Sequence, residues 1–298
     1  MVTVFPEEKH TAKGVDDKMR INNNIGALNA QRQNKANNES IANRLEKLSS
    51  GKRINRAADD AAGLAISEKM RTQIMGTLTA SRNTQDAVSL LQVAEGGLQS
   101  IHGMLQRARE LAVQSANDTN DNNVDRPALQ SEFENIVSEI DDTANTTEFN
   151  GVNVLNGDTG AVTIQAGPNE GDTVSIEIDA MTAGALLDFE GEDYNAATDA
   201  NITSSAAASE TIGTLDNAIN DVSMQRANLG AMQNRLEFRM QALDIQTENV
   251  TAAESRIRDS DMAKMMTELT AKSILQKAST AVLAQANTSA QGILGMLG

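Results

Sequence analysis

Cysteine is absent from this 298-residue chain, and with it disulfide scaffolds, thiolate catalysis and Cys-ligated zinc. The two histidines, His10 and His102, are too few for a His-rich metal centre, so no cofactor or metal is expected. Aromatic residues are nearly as scarce: five Phe, one Tyr and no Trp leave neither a core of large rings nor a base-stacking platform. The core must be aliphatic. No apolar run approaches the roughly 20 residues that cross a bilayer, and the opening MVTVFPEEKH has no apolar segment behind a basic start. The expectation is a chain that neither spans a membrane nor carries an ordinary signal peptide. Positive charge is in deficit, 25 Lys plus Arg against 41 Asp plus Glu, and a net charge of -16 argues against nucleic acid as a partner.

What is present is organised. From Asp141 to Asp221 there are sixteen acidic residues and no Lys or Arg, so this middle segment carries the whole net charge. From Met19 to Ala57 eight basic residues face two acidic ones, a locally positive arm. Between Ala87 and Ala112 the residues Ala87, Leu91, Ala94, Leu98, Ile101, Leu105, Ala108 and Ala112 hold a 4-3 spacing, which predicts a helix with a narrow seam facing partner helices. A second helix is expected from about Asp125, where Asp can cap and Pro127 is tolerated in the first turn, with Leu129, Phe133, Ile136 and Ile140 inward. A third repeats Leu236, Leu243, Val250 and Ile257 at sevens, with Met240 beside them, and helix is expected to resume near Thr211. Three seamed helices imply a bundle.

The period changes in the middle. Val162 and Ile164, then Val174, Ile176 and Ile178, alternate with polar residues around GPNEGD, and Asn150-Gly151 and Asn156-Gly157 bracket Val152 to Leu155. β-Hairpins are therefore predicted within about 144–183. From about Gly184 to Ser209 the chain turns to Ala, Ser, Thr, Asp and Gly, a short variable surface segment. The fold class expected is mainly α, a long helical bundle or coiled coil formed by the N- and C-terminal segments with a small hairpin region between them.

No catalytic constellation emerges, and no enzyme is expected. Gly51-Lys52 lacks the first Gly and the Ser or Thr of a phosphate loop and reads as a basic turn. Asp118 to Asn123 lacks the Gly and Glu of a calcium loop and reads as an inter-helix loop with Asx turns. Asp59-Asp60 and Asp259-Ser260-Asp261 have no His or Cys partner and are explained by helix capping.

The ends are unusual. Ile21, Ile25, Leu28, Ile41, Leu45 and Leu48 flank a polar stretch, QRQNKANNES. The last part of the chain carries Met262, Met265, Met266, Leu269, Ile274, Leu275, Val282 and Leu283 and closes on Ile293, Leu294, Met296 and Leu297. Large apolar residues at roughly 1.5 to 3 kcal/mol each when buried are covered either by something outside the chain or by its own bundle. A second feature is Arg107, Leu111 and Gln114, which share one helix face at i, i+4 and i+7. It is either a solvated face with a stray Leu or an interface hot spot.

Met19 to Ile25, Leu48 to Ile66, Gln106 to Asn117, Phe149 to Gly151, Ser255 to Asp261 and Ala281 to Asn287 resemble the signatures of bacterial flagellin, in order and at both ends. The resemblance covers Met19 to Gly298 and is to a short form without large outer domains. It implies an inner, filament-lining domain of residues 19–57 and 260–298, ordered on polymerisation through Ile21, Ile25, Leu28, Leu45, Met266, Leu283, Ile293, Leu294 and Leu297. Residues 58–259 would be the adjoining rigid bundle. It further implies a self-polymerising subunit of the filament used for swimming, exported unfolded through the flagellar type III channel without a cleaved signal peptide and located outside the cell. The implied partners are further copies of itself, cap and hook-junction proteins, the export apparatus and its flagellin chaperone. The flagellin-sensing Toll-like receptor of animals would read Arg107, Leu111 and Gln114, with Arg109, Glu110 and Glu132 also matching. Residues 1–18 precede the matched signature, as an upstream start or an added segment would. The rival readings are a hook-filament junction protein and an enzyme carried on a flagellin frame, for which the segment at 184–209 is too short.

Overall fold

The computed structural model describes residues 23–121, 124–187 and 201–297. The extension 1–18, Ile21 and positions 188–200 of the variable segment lie outside these, as do the side chains of Ile293, Leu294 and Leu297. The described chain is mainly helical, with two small antiparallel strand pairs in its middle, as the periodicities predict. The order is α1 (Ile25–Ser50), α2 (Ala61–Ala116), α3 (Asp125–Thr146), β1 (Glu148–Phe149), β2 (Val152–Asn153), β3 (Val162–Gln165), β4 (Thr173–Ile176), α4 (Ala183–Leu186), α5 (Ser205–Arg258) and α6 (Met262–Leu297). The chain divides into two compact units, 1–65 with 255–298 and 66–254, the divisions falling within α2 and α5.

The 66–254 unit has one continuous aliphatic core. Helix α2 supplies Leu91, Ala94, Leu98, Ile101, Leu105, Ala108 and Ala112, the seam read from the sequence, and all are fully buried. Facing it are Phe133, Val137, Ile140 and Ala144 of α3 and Leu215, Ala218, Val222, Leu229 and Leu236 of α5. On α3 the buried stripe is rotated from the expected one, with Leu129 and Ile136 at its margin. Asp125 is the first helical residue and not the cap: the N-cap position is Val124, without a side-chain bond, and Asp125 Oδ2 instead accepts the Asp121 N–H at 3.1 Å. Helix α5 starts at Ser205, six residues before Thr211, because Ser204 Oγ accepts the Ala207 N–H at 3.2 Å and opens the helix earlier.

The strand pairs seal one side of this core. Asn150 and Gly151 have φ of 53° and 76°, both left-handed, as a two-residue type I′ turn between Phe149 and Val152 requires. In the longer hairpin Val162 pairs with Ile176 and Ile164 with Val174. Gly97 of α2 lets this region approach, since a Cβ there would meet Leu155 Cδ1 at 2.6 Å and Thr147 Oγ1 at 2.9 Å.

Candidate assembly and recognition surfaces

In the unit formed by the two ends, α1 and α6 pack against each other. They run antiparallel: Asn24 Nδ2 donates to the Ala286 carbonyl at 2.9 Å, Gln276 Nε2 to Asn38 Oδ1 at 2.6 Å, and Arg44 pairs with Glu268. Their connecting turns are tied together as well. Gly51 closes α1 at φ 70°, where an L side chain would be strained, and its carbonyl accepts the Ser260 N–H at 3.0 Å. The Arg53 N–H donates to the Arg258 carbonyl at 2.7 Å, Lys52 and Asp259 form a β-bridge, and Ile54 is buried beneath.

The less exposed positions of the two helices fall on one heptad phase each. On α1 they include Ala27, Ala30, Asn34, Asn37, Ile41, Arg44 and Leu48; on α6, Met265, Leu269, Lys272, Gln276, Ser279, Leu283 and Ala286. This is a coiled-coil spacing occupied largely by small and polar residues. Much of the aliphatic surface points the other way. Ile25, Leu28 and Leu45 of α1 are exposed, and so are Met262, Met266, Ile274, Leu275 and Val282 of α6. Of the expected assembly residues, the structure therefore places Ile25, Leu28, Leu45 and Met266 on open faces and Leu283 on the intrachain seam. Ile274, Leu275 and Val282 belong with the open set, and their helical phase relative to Met265, Leu269 and Leu283 is the signal that separates the two groups. Met262 is exposed as well, although it falls on the seam phase at the first residue of α6.

The acidic residues near the turns cap helices, as their spacing suggests. Asp60 Oδ1 accepts the Gly63 N–H at 2.9 Å at the start of α2, and Asp261 Oδ1 accepts the Lys264 N–H at 3.1 Å at the start of α6. Asp59 Oδ2 accepts from the amides of Asn55 and Arg56, both at 3.1 Å, and Oδ1 pairs with Lys47 at 2.9 Å. The Lys47 ammonium and these amides hold the Asp59 carboxyl at about pKa 2, below its ordinary 3.8. Because the folded value is the lower one, the stabilisation is present above the ordinary pKa and is lost as pH falls from about 4 through about 2. The protection of the Asn55 and Arg56 amides, measured against the intrinsic exchange rate at each pH, is expected to fall across that window. Asp59→Asn should weaken their protection at neutral pH, by on the order of 1 kcal/mol at this partly exposed site. Protection unchanged in the variant would remove Asp59 from the turn's stability.

On the 66–254 unit, Arg107 donates from Nε and Nη2 to Glu132 Oε1 at 3.1 and 2.6 Å and from Nη1 to Glu110 Oε2 at 3.0 Å. These three exposed side chains form one surface cluster, and the two carboxylates hold the guanidinium firmly protonated. Gln114 is exposed on the same helix. Arg109 is engaged elsewhere, donating to Asp216 at 2.6 and 3.3 Å, which draws the Asp216 carboxyl below its ordinary pKa. Leu111 is not on this surface. The i, i+4, i+7 spacing predicts an open face for it between Arg107 and Gln114, yet its exposure is 1% and it belongs to the core. The reason is that α2 packs against both α3 and α5, so its buried stripe is wider than one seam and takes in both Leu111 and Ala112.

Among the described residues no group of three or more His, Asp or Glu is placed to hold a metal ion, and no helix is long and apolar enough to cross a membrane.

Residues 21–159 match the family described as bacterial flagellin N-terminal helical region, and residues 212–297 the one described as bacterial flagellin C-terminal helical region. A flagellin of Halalkalibacterium halodurans is 47% identical over 279 residues, covering 94% of this chain and 100% of that protein. A flagellin of Bacillus subtilis is 48% identical over 303 residues, again covering 94% and 100%. Among solved structures, a Bacillus cereus flagellin is similar at 34% identity with a TM-score of 0.47, covering 58% of this chain and 94% of that one.

Proposed function

The chain belongs to the bacterial flagellin family and is a structural subunit of the flagellar filament, and we propose that its two terminal helices are the surface through which copies of it assemble. The whole-length likeness to flagellins favours this over a hook-filament junction protein. Flagellins self-assemble into a filament outside the cell. The finer reading is that residues 19–57 and 260–298 are the inner, filament-lining domain and 58–259 the adjoining rigid domain.

One observation carries this reading: α1 and α6 meet through a seam containing Asn34, Asn37, Lys272, Gln276 and Ser279 while presenting Ile25, Leu28, Leu45, Met266 and Ile274 outward. A helix pair stabilised by its own contacts would have the opposite arrangement. Ordering its backbone costs roughly 1 to 2 kcal/mol per residue, and burial of the outward set by neighbouring subunits is what offsets that. Identical copies added head to tail on a helical lattice present that neighbour every time. Ile21, Ile293, Leu294 and Leu297 extend the apolar set in sequence. The absence of Cys, so that no disulfide can hold the chain folded, supports export as an unfolded chain through the flagellar type III channel with its chaperone. Cap and hook-junction proteins complete the proposed partners. The Arg107, Glu110 and Glu132 cluster, with Gln114 beside it, is proposed as the surface read by the animal receptor; Arg109 and Leu111 contribute from the side and from beneath.

The test is hydrogen exchange on the intact chain before and after seeded growth. Amides of 25–50 and 262–292 are expected to exchange with little protection in the monomer and to gain at least tenfold in the filament. Ends already protected in the monomer would place the apolar residues in the chain's own core and overturn the proposal.

A further inference from the structure

The chain has two Asn-Gly pairs, Asn150-Gly151 and Asn156-Gly157, one on each side of β2. Asn-Gly is the dipeptide most prone to lose ammonia spontaneously, because glycine has no Cβ to hinder the approach of its nitrogen to the asparagine Cγ. The fold treats the two pairs differently. At Asn156 both ends of the carboxamide are engaged: Oδ1 accepts the Asp158 N–H at 3.0 Å and Nδ2 donates to Asp158 Oδ2 at 2.7 Å. Asn156 is half-buried, and Gly157 lies so close to Ala180 that a Cβ at this glycine would meet the Ala180 Cβ at 2.7 Å. Nothing comparable holds Asn150. It is exposed, and neither its carboxamide nor the Gly151 N–H is hydrogen-bonded to a described residue. A Cβ at Gly151 would meet nothing within 4 Å. The turn is held by the pairs Glu148 with Asn153 and Phe149 with Val152, and by the Val154 N–H donating to the Thr147 carbonyl at 3.1 Å. So short a ladder opens locally at low cost, and opening frees the Asn150 backbone to bring the Gly151 nitrogen over Cγ.

We propose that Asn150, and not Asn156, is a site of spontaneous modification in the folded chain, converting to aspartate and isoaspartate as the protein ages. The inference is independent of the assembly reading above. In the first step the Gly151 nitrogen attacks Asn150 Cγ, the new C–N bond closes a succinimide ring, and the Cγ–Nδ2 bond breaks. The proton of the Gly151 N–H leaves with the side-chain nitrogen as ammonia. Water then opens the ring at one of its two carbonyls. Breaking the bond at Cγ leaves aspartate in an unaltered main chain, whereas breaking it at the α-carbonyl leaves the chain running through Cγ, as isoaspartate with a free α-carboxylate. Water is the only co-reactant. Isoaspartate inserts a methylene into a turn whose register depends on left-handed φ values of 53° and 76° at successive residues. Phe149, Val154 and Leu155 of this hairpin pack on the core of the 66–254 unit, so the conversion loosens the seal beside α2.

The test is incubation of the full chain as folded monomer at mildly alkaline pH, followed by peptide mass spectrometry at both pairs. Isoaspartate is read separately, by methyl transfer from S-adenosylmethionine with an isoaspartyl methyltransferase as the probe. Deamidation at Asn150 is expected to run about tenfold or more faster than at Asn156, the difference being the cost of local opening at the two turns. In the chain unfolded by urea the two rates should converge. Asn150→Gly keeps a residue suited to the left-handed turn and is expected to remove most of the methyl-accepting signal with melting unchanged. Equal rates at the two pairs in the folded chain, or faster loss at Asn156, would overturn the inference. A difference that persists undiminished in urea would also overturn it, by tracing the selectivity to the flanking sequence instead of the fold.

Discussion

Deletion of residues 1–65 and 255–298 is expected to abolish filament growth while leaving residues 66–254 folded, helical and monomeric. The two halves of this expectation have separate grounds. The continuous aliphatic core, from Ala87 to Leu236, lies wholly inside 66–254, so the deletion removes none of its members. What it does remove is the α1 and α6 pair, with Ile25, Leu28, Leu45, Met266 and Ile274 on its open faces. Circular dichroism with thermal melting reads the first half, and electron microscopy after seeding reads the second. A milder lesion keeps the chain at full length: Met266→Asp with Ile274→Asp places two carboxylates on the face proposed to be buried. An unpaired charge buried in an interface is costly, whereas the same residues on a solvated face change little, so the monomer should be unaffected and growth lost. Filaments from the truncated chain would sink the assembly reading outright.

The sequence makes the bundle legible because its seams are built from large aliphatic residues at helical spacing. Leu91, Leu98, Ile101 and Leu105 point inward as their period requires, and the Asn150-Gly151 turn takes the left-handed geometry that its residue types favour. The terminal pair resists the same method. Periodicity registers large apolar residues, and on α1 the side chains facing α6 include Ala30, Asn34 and Asn37, so the intrachain seam is nearly silent while Ile25, Leu28 and Leu45 mark a different face. The cap of α3 also departs from its sequence pattern. Asp at the head of a helix is the common capping pattern, but here the carboxylate of Asp125 reaches back to the Asp121 amide, one position too late in the chain to act as N-cap. At the recognition cluster, i, i+4 spacing correctly puts Arg107 and Leu111 on adjoining turns. It cannot say how wide the buried stripe is, which depends on α3 and α5 both flanking α2.

That width has a measurable consequence at Leu111. Leu111→Ala is expected to destabilise the 66–254 unit by about 2 to 5 kcal/mol, the range for removing a buried Leu side chain from a core that relaxes only in part. Arg107→Ala breaks two ion pairs between side chains about half exposed or more, and such pairs contribute roughly 0 to 1 kcal/mol to stability. Denaturant titration of the two variants should therefore separate them clearly. In a receptor reporter assay both are expected to lose potency, but for different reasons. Arg107→Ala removes a contact from a folded surface, where truncating a hot-spot Arg costs at least ~1 kcal/mol of binding; Leu111→Ala loosens the helix that presents Arg107, Glu110 and Gln114. Leu111→Met nearly preserves volume and should cost under about 1.5 kcal/mol, so it should restore most of the signalling if Leu111 acts through the core. Loss of signalling in Leu111→Met with melting unchanged would instead put this side chain back at the receptor contact and count against its burial.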